Sequence, residues 1–278
     1  MIDYVCDALL GLYGFIPVPH RGRDRLVSFL SDRARRRWNG VRCITRRGLH
    51  IASDLSVDDV GRTLYTYGCL DYYDERAIRK MLRPGSCCLD IGAHIGYYSL
   101  LLSRWAGPTG HIFSYEPVPY TYSFLVRNLE RNRALNVMPS QVAIGKQAGM
   151  VRMSAAEGKR LGWSTVNDSG ELEVRCTTID AEIERLRLTC VDFIKLDVEG
   201  FEVQALTGAE TTIREMRPKI MFEVNQRTLR EHHASPVMLQ DFFLANNYEL
   251  FSTEGDELKP ISNIDSERSY FNVFALPV

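Results

Sequence analysis

The sequence predicts an α/β fold: a mostly parallel sheet of seven strands with helices on both faces, preceded by a helical and hairpin extension. Three observations carry that prediction. A short apolar run, Cys87-Cys88-Leu89, enters the turn Asp90-Ile91-Gly92-Ala93-His94-Ile95-Gly96 and leaves it as an apolar, helix-like segment. Strand-like and helix-like segments then alternate to residue 276 with short turns between them, the pattern of repeated β-α-β units. Polar and charged residues recur at the ends of those strands, where open α/β sheets bind their ligands.

In chain order, residues 1–53 are the expected extension and 54–278 the main domain. Residues 1–38 read as helical, broken near Pro17-Val18-Pro19. The first 50 residues hold ten arginines and no lysine against four aspartates. Such a segment either packs as a cap with a solvated arginine face or meets a membrane surface, an anionic carrier lipid or a partner chain. Val41 to Thr45 and Leu49 to Ala52 flank Arg46-Arg47-Gly48 as a β-hairpin. Tyr72 to Leu82 reads as a helix with Asp71 or Asp74 near its start, ended by Pro84-Gly85.

After the glycine turn come a helix at Tyr97 to Ser103 and a strand at His111 to Tyr115, ending at Glu116-Pro117. From Tyr120 to Asn132, Tyr122, Leu125, Val126 and Leu129 fall at helical spacing. Further strands are expected at Val137 to Ile144, Val191 to Leu196, Lys219 to Val224, Tyr248 to Ser252 and Tyr270 to Leu276. Helices are expected at Phe201 to Met216 and Pro236 to Asn246. Residues 146–190 interrupt the alternation: short strands at Val151 to Met153 and Leu172 to Thr177 surround a polar loop, Glu157 to Gly170. An insertion near the carboxyl ends of sheet strands is well placed to cover a substrate.

Composition narrows the class. Hydrophobic residues make up 45% and charged residues 25%, the balance of a globular protein. A net charge of −1 gives no global attraction to nucleic acid. Seven cysteines lack C-x-x-C spacing and read as reduced thiols, so a cytoplasmic location is expected. No stretch reaches the roughly 18 apolar residues of a membrane span.

The turn distinguishes two kinds of ligand. A dinucleotide fold wants G-x-G-x-x-G so that a pyrophosphate can sit on the helix N-terminus. Here Ala93 stands at the middle glycine, His94 follows, and Asp90 would oppose a phosphate. An acid beside a glycine turn suits a cationic, phosphate-free ligand such as S-adenosylmethionine. Asp90, Gly92, Ala93, His94 and Gly96 are the expected cofactor residues. Glu116, 26 positions after Asp90, is expected on the ribose hydroxyls. The fourth strand carries Lys195, Asp197 and Glu199 on one face, with Ile194, Leu196 and Val198 on the other. Buried charges there must pair or face a wet cleft, so Lys195 is the expected counter-ion of Asp197. Glu223 and Asn225, ending the fifth strand, are expected beside Asp197. Blander readings apply elsewhere: Glu75 on a helix surface, His232 and His233 solvated, Cys176 and Cys190 small core residues.

Several of these stretches together resemble one family. They are the glycine turn with Tyr97-Tyr98, Tyr115-Glu116-Pro117, Thr177-Thr178-Ile179-Asp180, Lys195-Leu196-Asp197-Val198-Glu199-Gly200-Phe201-Glu202, Glu223-Val224-Asn225 and Tyr270-Phe271-Asn272-Val273. The chain from about 50 to 276 is similar to the FkbM family of S-adenosylmethionine-dependent methyltransferases, whose members often carry asparagine where His94 stands. The resemblance implies a Rossmann-like class I methyltransferase fold and O-methylation of a hydroxyl on a sugar, polyketide or other small-molecule or glycolipid acceptor. Such a hydroxyl needs a proton acceptor within hydrogen-bond reach, and Asp197, Glu199, Glu223 and His94 are the candidates, with Lys195 as counter-ion. An alternative use of the same strand ends is a Mg2+ site of Asp197, Glu223 and Asn225. Two other functions stay open: a methyltransferase of RNA or another macromolecule, prompted by the arginine-rich front, and a non-catalytic cofactor-binding module. No Asn/Asp-Pro-Pro-aromatic turn of base methylation ends strand four, and nucleic acid is not the expected partner. A homo-oligomer is compatible with the sequence.

Overall fold

The computed structural model describes residues 8–9, 34, 38–154, 165–167, 169–264 and 270–278 of the chain. The expected helices of residues 1–38, apart from isolated positions, and the loop containing Gly162-Trp163-Ser164 lie outside the described residues. Among the described residues no helix is long and apolar enough to cross a membrane.

The elements run β1 (Val41–Arg46), β2 (Leu49–Asp54), α1 (Asp59–Tyr67), α2 (Tyr72–Met81), β3 (Cys87–Ile91), α3 (Tyr97–Ala106), β4 (His111–Tyr115), α4 (Pro119–Arg131) and β5 (Val137–Ser140). There follow β6 (Ala143–Ile144), β7 (Gly149–Ser154), β8 (Thr165–Val166), β9 (Leu172–Thr177), α5 (Ile179–Leu186), β10 (Phe193–Leu196), α6 (Glu202–Thr207), α7 (Glu210–Met216) and β11 (Lys219–Asn225). The chain closes with α8 (Gln226–Glu231), α9 (Pro236–Ala245), β12 (Tyr248–Glu254), β13 (Glu257–Pro260) and β14 (Tyr270–Pro277).

The main sheet has the order β13-β12-β14-β11-β10-β3-β4-β5. Strands β5, β4, β3, β10 and β11 pair in parallel, and β14 is antiparallel to both β11 and β12. This is the expected mostly parallel α/β sheet, with eight strands where seven were expected. The extra strand, β13, extends the sheet edge as a hairpin with β12.

Helices cover both faces. On one, α3 and α4 bury Leu100, Leu101, Phe124 and Leu125 together with Ile44, Leu49 and Ile51 of the β1–β2 hairpin, so the hairpin shares the core of the sheet. On the other, Ile183, Leu206, Ile213, Leu229 and Phe243 of α5 to α9 pack on Leu89, Ile194, Leu196 and Phe222.

Two expected elements are divided. The strand expected over 137–144 splits, β5 ending the main sheet and β6 pairing with β9 in a four-stranded sheet, β6-β9-β7-β8. Pro139 lacks a ladder donor, which confines β5 to the edge. The helix expected over 201–216 breaks into α6 and α7 at Gly208, where a Cβ would lie 2.2 Å from the Gly145 carbonyl oxygen. Three short helices were not expected: α1, capped by Asp58; α5, capped by Thr178, whose Oγ1 accepts from the Ala181 N–H; and α8, capped by Asn225.

Candidate functional site

The carboxyl ends of β3, β10 and β11 open into one cleft of about 1110 Å³, lined by the glycine turn, by Tyr97 and Tyr98 of α3, by Asp71 before α2, and by Lys195, Asp197, Glu199, Glu223, Asn225 and Tyr270. Local backbone chemistry shapes this end of the sheet. Gly92 adopts φ +78°, and a Cβ on it would lie 1.7 Å from the Asp197 carbonyl oxygen. Only glycine lets the end of β3 lie this close to the end of β10. His94 follows with φ +51°, an uncommon conformation for a side chain of its size. At Gly96, also among the expected cofactor residues, a Cβ would meet Leu125 of α4.

The register explains the charges. Lys195 sits directly across from Asp90 on the neighbouring parallel strand. Its Nζ lies 3.0 Å from Asp197 Oδ2, 3.8 Å from Asp90 Oδ1 and 3.1 Å from the Gly92 carbonyl oxygen, and 5.3 Å from the Tyr98 ring centroid. Burial opposes its charge, yet Asp197 and Asp90 raise its pKa above the usual lysine value. The expected pairing of Lys195 with Asp197 is therefore present.

Asp90 differs from expectation. Its side chain has no exposed surface; Oδ2 accepts from Ser99 Oγ at 2.5 Å, and its charge faces Lys195. It is an internal counter-charge beneath the turn, and its Oδ1 has no hydrogen-bond partner among the described residues. Burial holds its carboxyl above the usual value, with Lys195 opposing.

Glu116 is buried and held by three donors: His94 N–H on Oε2 at 2.9 Å, and Val118 N–H and Thr121 Oγ1 on Oε1 at 3.0 and 2.7 Å. A carboxylate offers about four lone-pair sites, so roughly one remains for a ligand. Beside it a narrower apolar recess is bounded by Val118, Val142, Ile144, Val198 and Phe201, with Met153 and Val166 contributed by the second sheet. Asp90 and Glu116 thus have different duties, while Gly92 and His94 line both hollows.

Beyond β10 the strand alternation stops. Glu199 takes φ +53° and Gly200 φ +98°, folding Asp197-Val198-Glu199-Gly200 into a turn. The buried Glu202 holds it, its Oε1 accepting from Val198 N–H at 3.1 Å and Gly200 N–H at 3.2 Å. Thr165 Oγ1 donates to the Glu199 carbonyl oxygen at 3.0 Å and lies 2.5 Å from His232 Nε2. His232, expected in solvent, is half-buried there against Phe201. The turn brings carboxylate oxygens of Asp197, Glu199 and Glu223 within 4.8 Å of one another. Burial, with Asp197 and Glu202 nearby, pushes Glu199 up to about 8. Burial, then Asp197 and Glu199, hold Glu223 well above the carboxylate range, and its Oε2 is buried with no hydrogen-bond partner among the described residues. Neither ring nitrogen of His94 has one either. Asn225, expected beside Asp197 as a ligand, lines the cleft but spends its side-chain oxygen capping α8.

Two acids escaped the sequence reading. Glu75, expected on a helix surface, is 1% exposed; it pairs with Arg47 and accepts from Tyr97 Oη at 2.8 Å and Leu70 N–H at 3.1 Å. Asp71, read only as a helix-start residue, reaches the cleft and accepts from Tyr98 Oη at 2.9 Å. Cys176 is buried as expected, whereas Cys190 is exposed.

The model of the methyltransferase FkbM domain matches residues 90–250. A hexuronic acid methyltransferase, AglP of Haloferax volcanii, is 24% identical over 125 residues, 45% of this chain and 50% of that enzyme. The 31-O-demethyl-FK506 methyltransferase FkbM of Streptomyces tacrolimicus is 26% identical over 161 residues, 46% of this chain and 61% of that enzyme. The chain therefore spans about half to three-fifths of the length of these two relatives. Among solved structures, methyltransferase FkbM of Methylobacillus flagellatus aligns with TM-score 0.48 and 18% identity, covering 78% of this chain and 52% of that one.

Proposed function

The chain belongs to the FkbM methyltransferase family, and from that premise we propose that it moves a methyl group from S-adenosylmethionine to a hydroxyl oxygen of a small-molecule or glycan acceptor. The observation that carries this reading is the meeting of the glycine turn with the Asp197, Glu199 and Glu223 carboxylates in one cleft. The residues fit the cofactor. Gly92 to His94 and the remaining acceptor site of Glu116 would hold its nucleoside and the start of its methionine arm, and the apolar recess beside Glu116 suits a flat ring. The His94 nitrogens, without a hydrogen bond although Nε2 lies 3.9 Å from Asp58 Oδ1, and the buried Glu223 Oε2 are polar groups that a ligand would satisfy. When bound, S-adenosylmethionine supplies an electrophilic methyl group.

The protein's own part is position and proton transfer. Displacement at a methyl carbon needs the incoming oxygen in line and at near-attack distance, which a walled cleft at the strand ends provides. Asp197 accepts the hydroxyl proton, with Lys195 fixing a positive charge 3.0 Å from it. Glu199 and Glu223, both raised by burial and by their acidic neighbours, line the cleft beside Asp197, where they would orient the acceptor hydroxyl. The inner wall is acidic, which favours an uncharged hydroxylated acceptor over a polyanion such as RNA.

A second reading has one observation behind it: the Asp197, Glu199 and Glu223 carboxylates, the last with its Oε2 unsatisfied, form a set of oxygen donors of the kind a divalent cation such as Mg2+ takes. The set includes Glu199 in place of the expected Asn225. Loss of turnover on chelation and its return with Mg2+ would select this reading.

The test incubates the protein with methyl-labelled S-adenosylmethionine and metabolite extracts, following labelled products by mass. A product heavier by one methyl, in which a hydroxyl has become a methyl ether, supports the proposal. Cofactor binding with no product from any hydroxylated acceptor would make the chain a binding module instead.

A further inference from the structure

The cations in and beside the cleft have partners of their own. Lys195 is committed to Asp197 and Asp90, and Arg47 to Glu75. Arg227 is paired with Glu231, and Arg230, which also lines the cleft, donates to Gln226. That leaves Asp71. It enters the cleft from the corner between α1 and α2, with Asp74 as its acidic neighbour and burial raising its carboxyl to about 7. Its Oδ2 accepts from Tyr98 Oη. Among the described residues no hydrogen bond reaches Oδ1 and no cation pairs with the carboxylate. A carboxylate placed this way costs stability until a positive group meets it. A second, independent sign of a missing ligand is in the same cleft: the buried Glu223 Oε2 has no partner.

Tyr98 ties this acid to the glycine turn. It is the second residue of α3, whose N-cap is Gly96, so its hydroxyl holds Asp71 at the mouth of that turn. The Lys195 ammonium against its ring helps to fix the ring orientation. Asp71 meets the cleft from the corner between α1 and α2, beside Tyr98 of the glycine-turn helix, and is close enough to Asp197 for the two carboxyls to act on each other. Resting on the methyl-transfer reading above, we propose that Asp71 is the salt-bridge partner of the α-ammonium of the methionine arm, and that Tyr98 is its positioning residue. Glu75 fits this task less well, because its oxygens are already taken by Arg47, Tyr97 and Leu70.

The experiment titrates the full chain and its Asp71→Asn and Tyr98→Phe variants calorimetrically with S-adenosylmethionine and with its desamino counterpart, in which hydrogen replaces the ammonium. Asparagine keeps an acceptor for Tyr98 and loses only the charge. The expected result is a roughly 30-fold loss of S-adenosylmethionine affinity in Asp71→Asn, a smaller loss in Tyr98→Phe, and less than about twofold change for the desamino ligand in either, since one charged hydrogen bond is at stake. Unchanged ligand binding by the desamino compound also shows that each variant is folded. Equal S-adenosylmethionine affinity in the parent and Asp71→Asn, or equal losses for both ligands, would overturn the assignment while leaving the methyl-transfer reading in place. A parent chain that binds neither ligand would end both.

Discussion

Replacing Lys195 with methionine tests the electrostatic frame of the site. The side chain is 4% exposed and faces Asp90, which has no exposed surface, across 3.8 Å. At an effective dielectric of about 20 that contact is worth about 4 kcal/mol. Breaking a buried pair by removing one partner costs about 3–5 kcal/mol. Asp197, which opens to the cleft, loses less because water screens it. The expected fall in unfolding free energy is therefore about 3–5 kcal/mol at pH 7.5, or on the order of 10 °C in Tm. The pH dependence has a definite sign. Burial already raises the Asp90 carboxyl, and removing Lys195 removes what opposes the rise. A carboxyl whose folded pKa exceeds its unfolded one contributes stability at low pH and loses it as pH rises through the folded value. The deficit of Lys195→Met should thus be smallest near pH 4.5 and grow toward pH 8. Urea denaturation of both proteins across that range measures it. In the Asp90→Asn background, where asparagine still accepts from Ser99, the same replacement should cost less than half as much. A deficit below about 1 kcal/mol, or one that stays constant with pH, would refute the pairing.

Three further outcomes follow from the same geometry. Gly92→Ala forces a Cβ to 1.7 Å from the Asp197 carbonyl oxygen, so it should destabilise far more than Gly255→Ala, where φ is also positive but nothing lies within 4 Å and only the left-handed penalty of about 1–2 kcal/mol applies; paired denaturation curves decide. Asp197→Asn should lower turnover while changing cofactor affinity less than about threefold in calorimetry, since it removes a proton acceptor rather than a binding surface. Glu199 is raised to about 8 and Glu202 and Asp71 to about 7, all above their unfolded values, so the ligand-free protein should lose stability as pH rises from about 5.5 to 8.5, read as a falling urea midpoint.

What the sequence disclosed was whatever depends on local order. The apolar run into Gly92, the acid ending β4 and the Lys195-x-Asp197 spacing are short-range features, and the structure brings them to one end of the sheet. What it did not disclose depends on register and on distant packing. Nothing local says that Lys195 lies across from Asp90, so the buried counter-charge there was not legible in the sequence. Asp71 precedes α2 and Glu75 lies in its first turn, and their distant partners, Tyr98 for one and Arg47 and Tyr97 for the other, decide which reaches the cleft and which is sealed. Glu202 appeared only as part of a motif; its task of holding the Asp197–Gly200 turn emerges from two backbone hydrogen bonds. Some signals were present and went unread. Pro139 argued against a long third strand, and Asp58 and Thr178 are cap residues ahead of short helices.

A crystal structure of the protein soaked with S-adenosylhomocysteine tests the central claim most directly. Density for the nucleoside is expected between the Gly92–His94 turn and Glu116, with the thioether sulfur directed toward Asp197. Density bound elsewhere on the molecule, or a cleft that stays unchanged at saturating ligand, would contradict it.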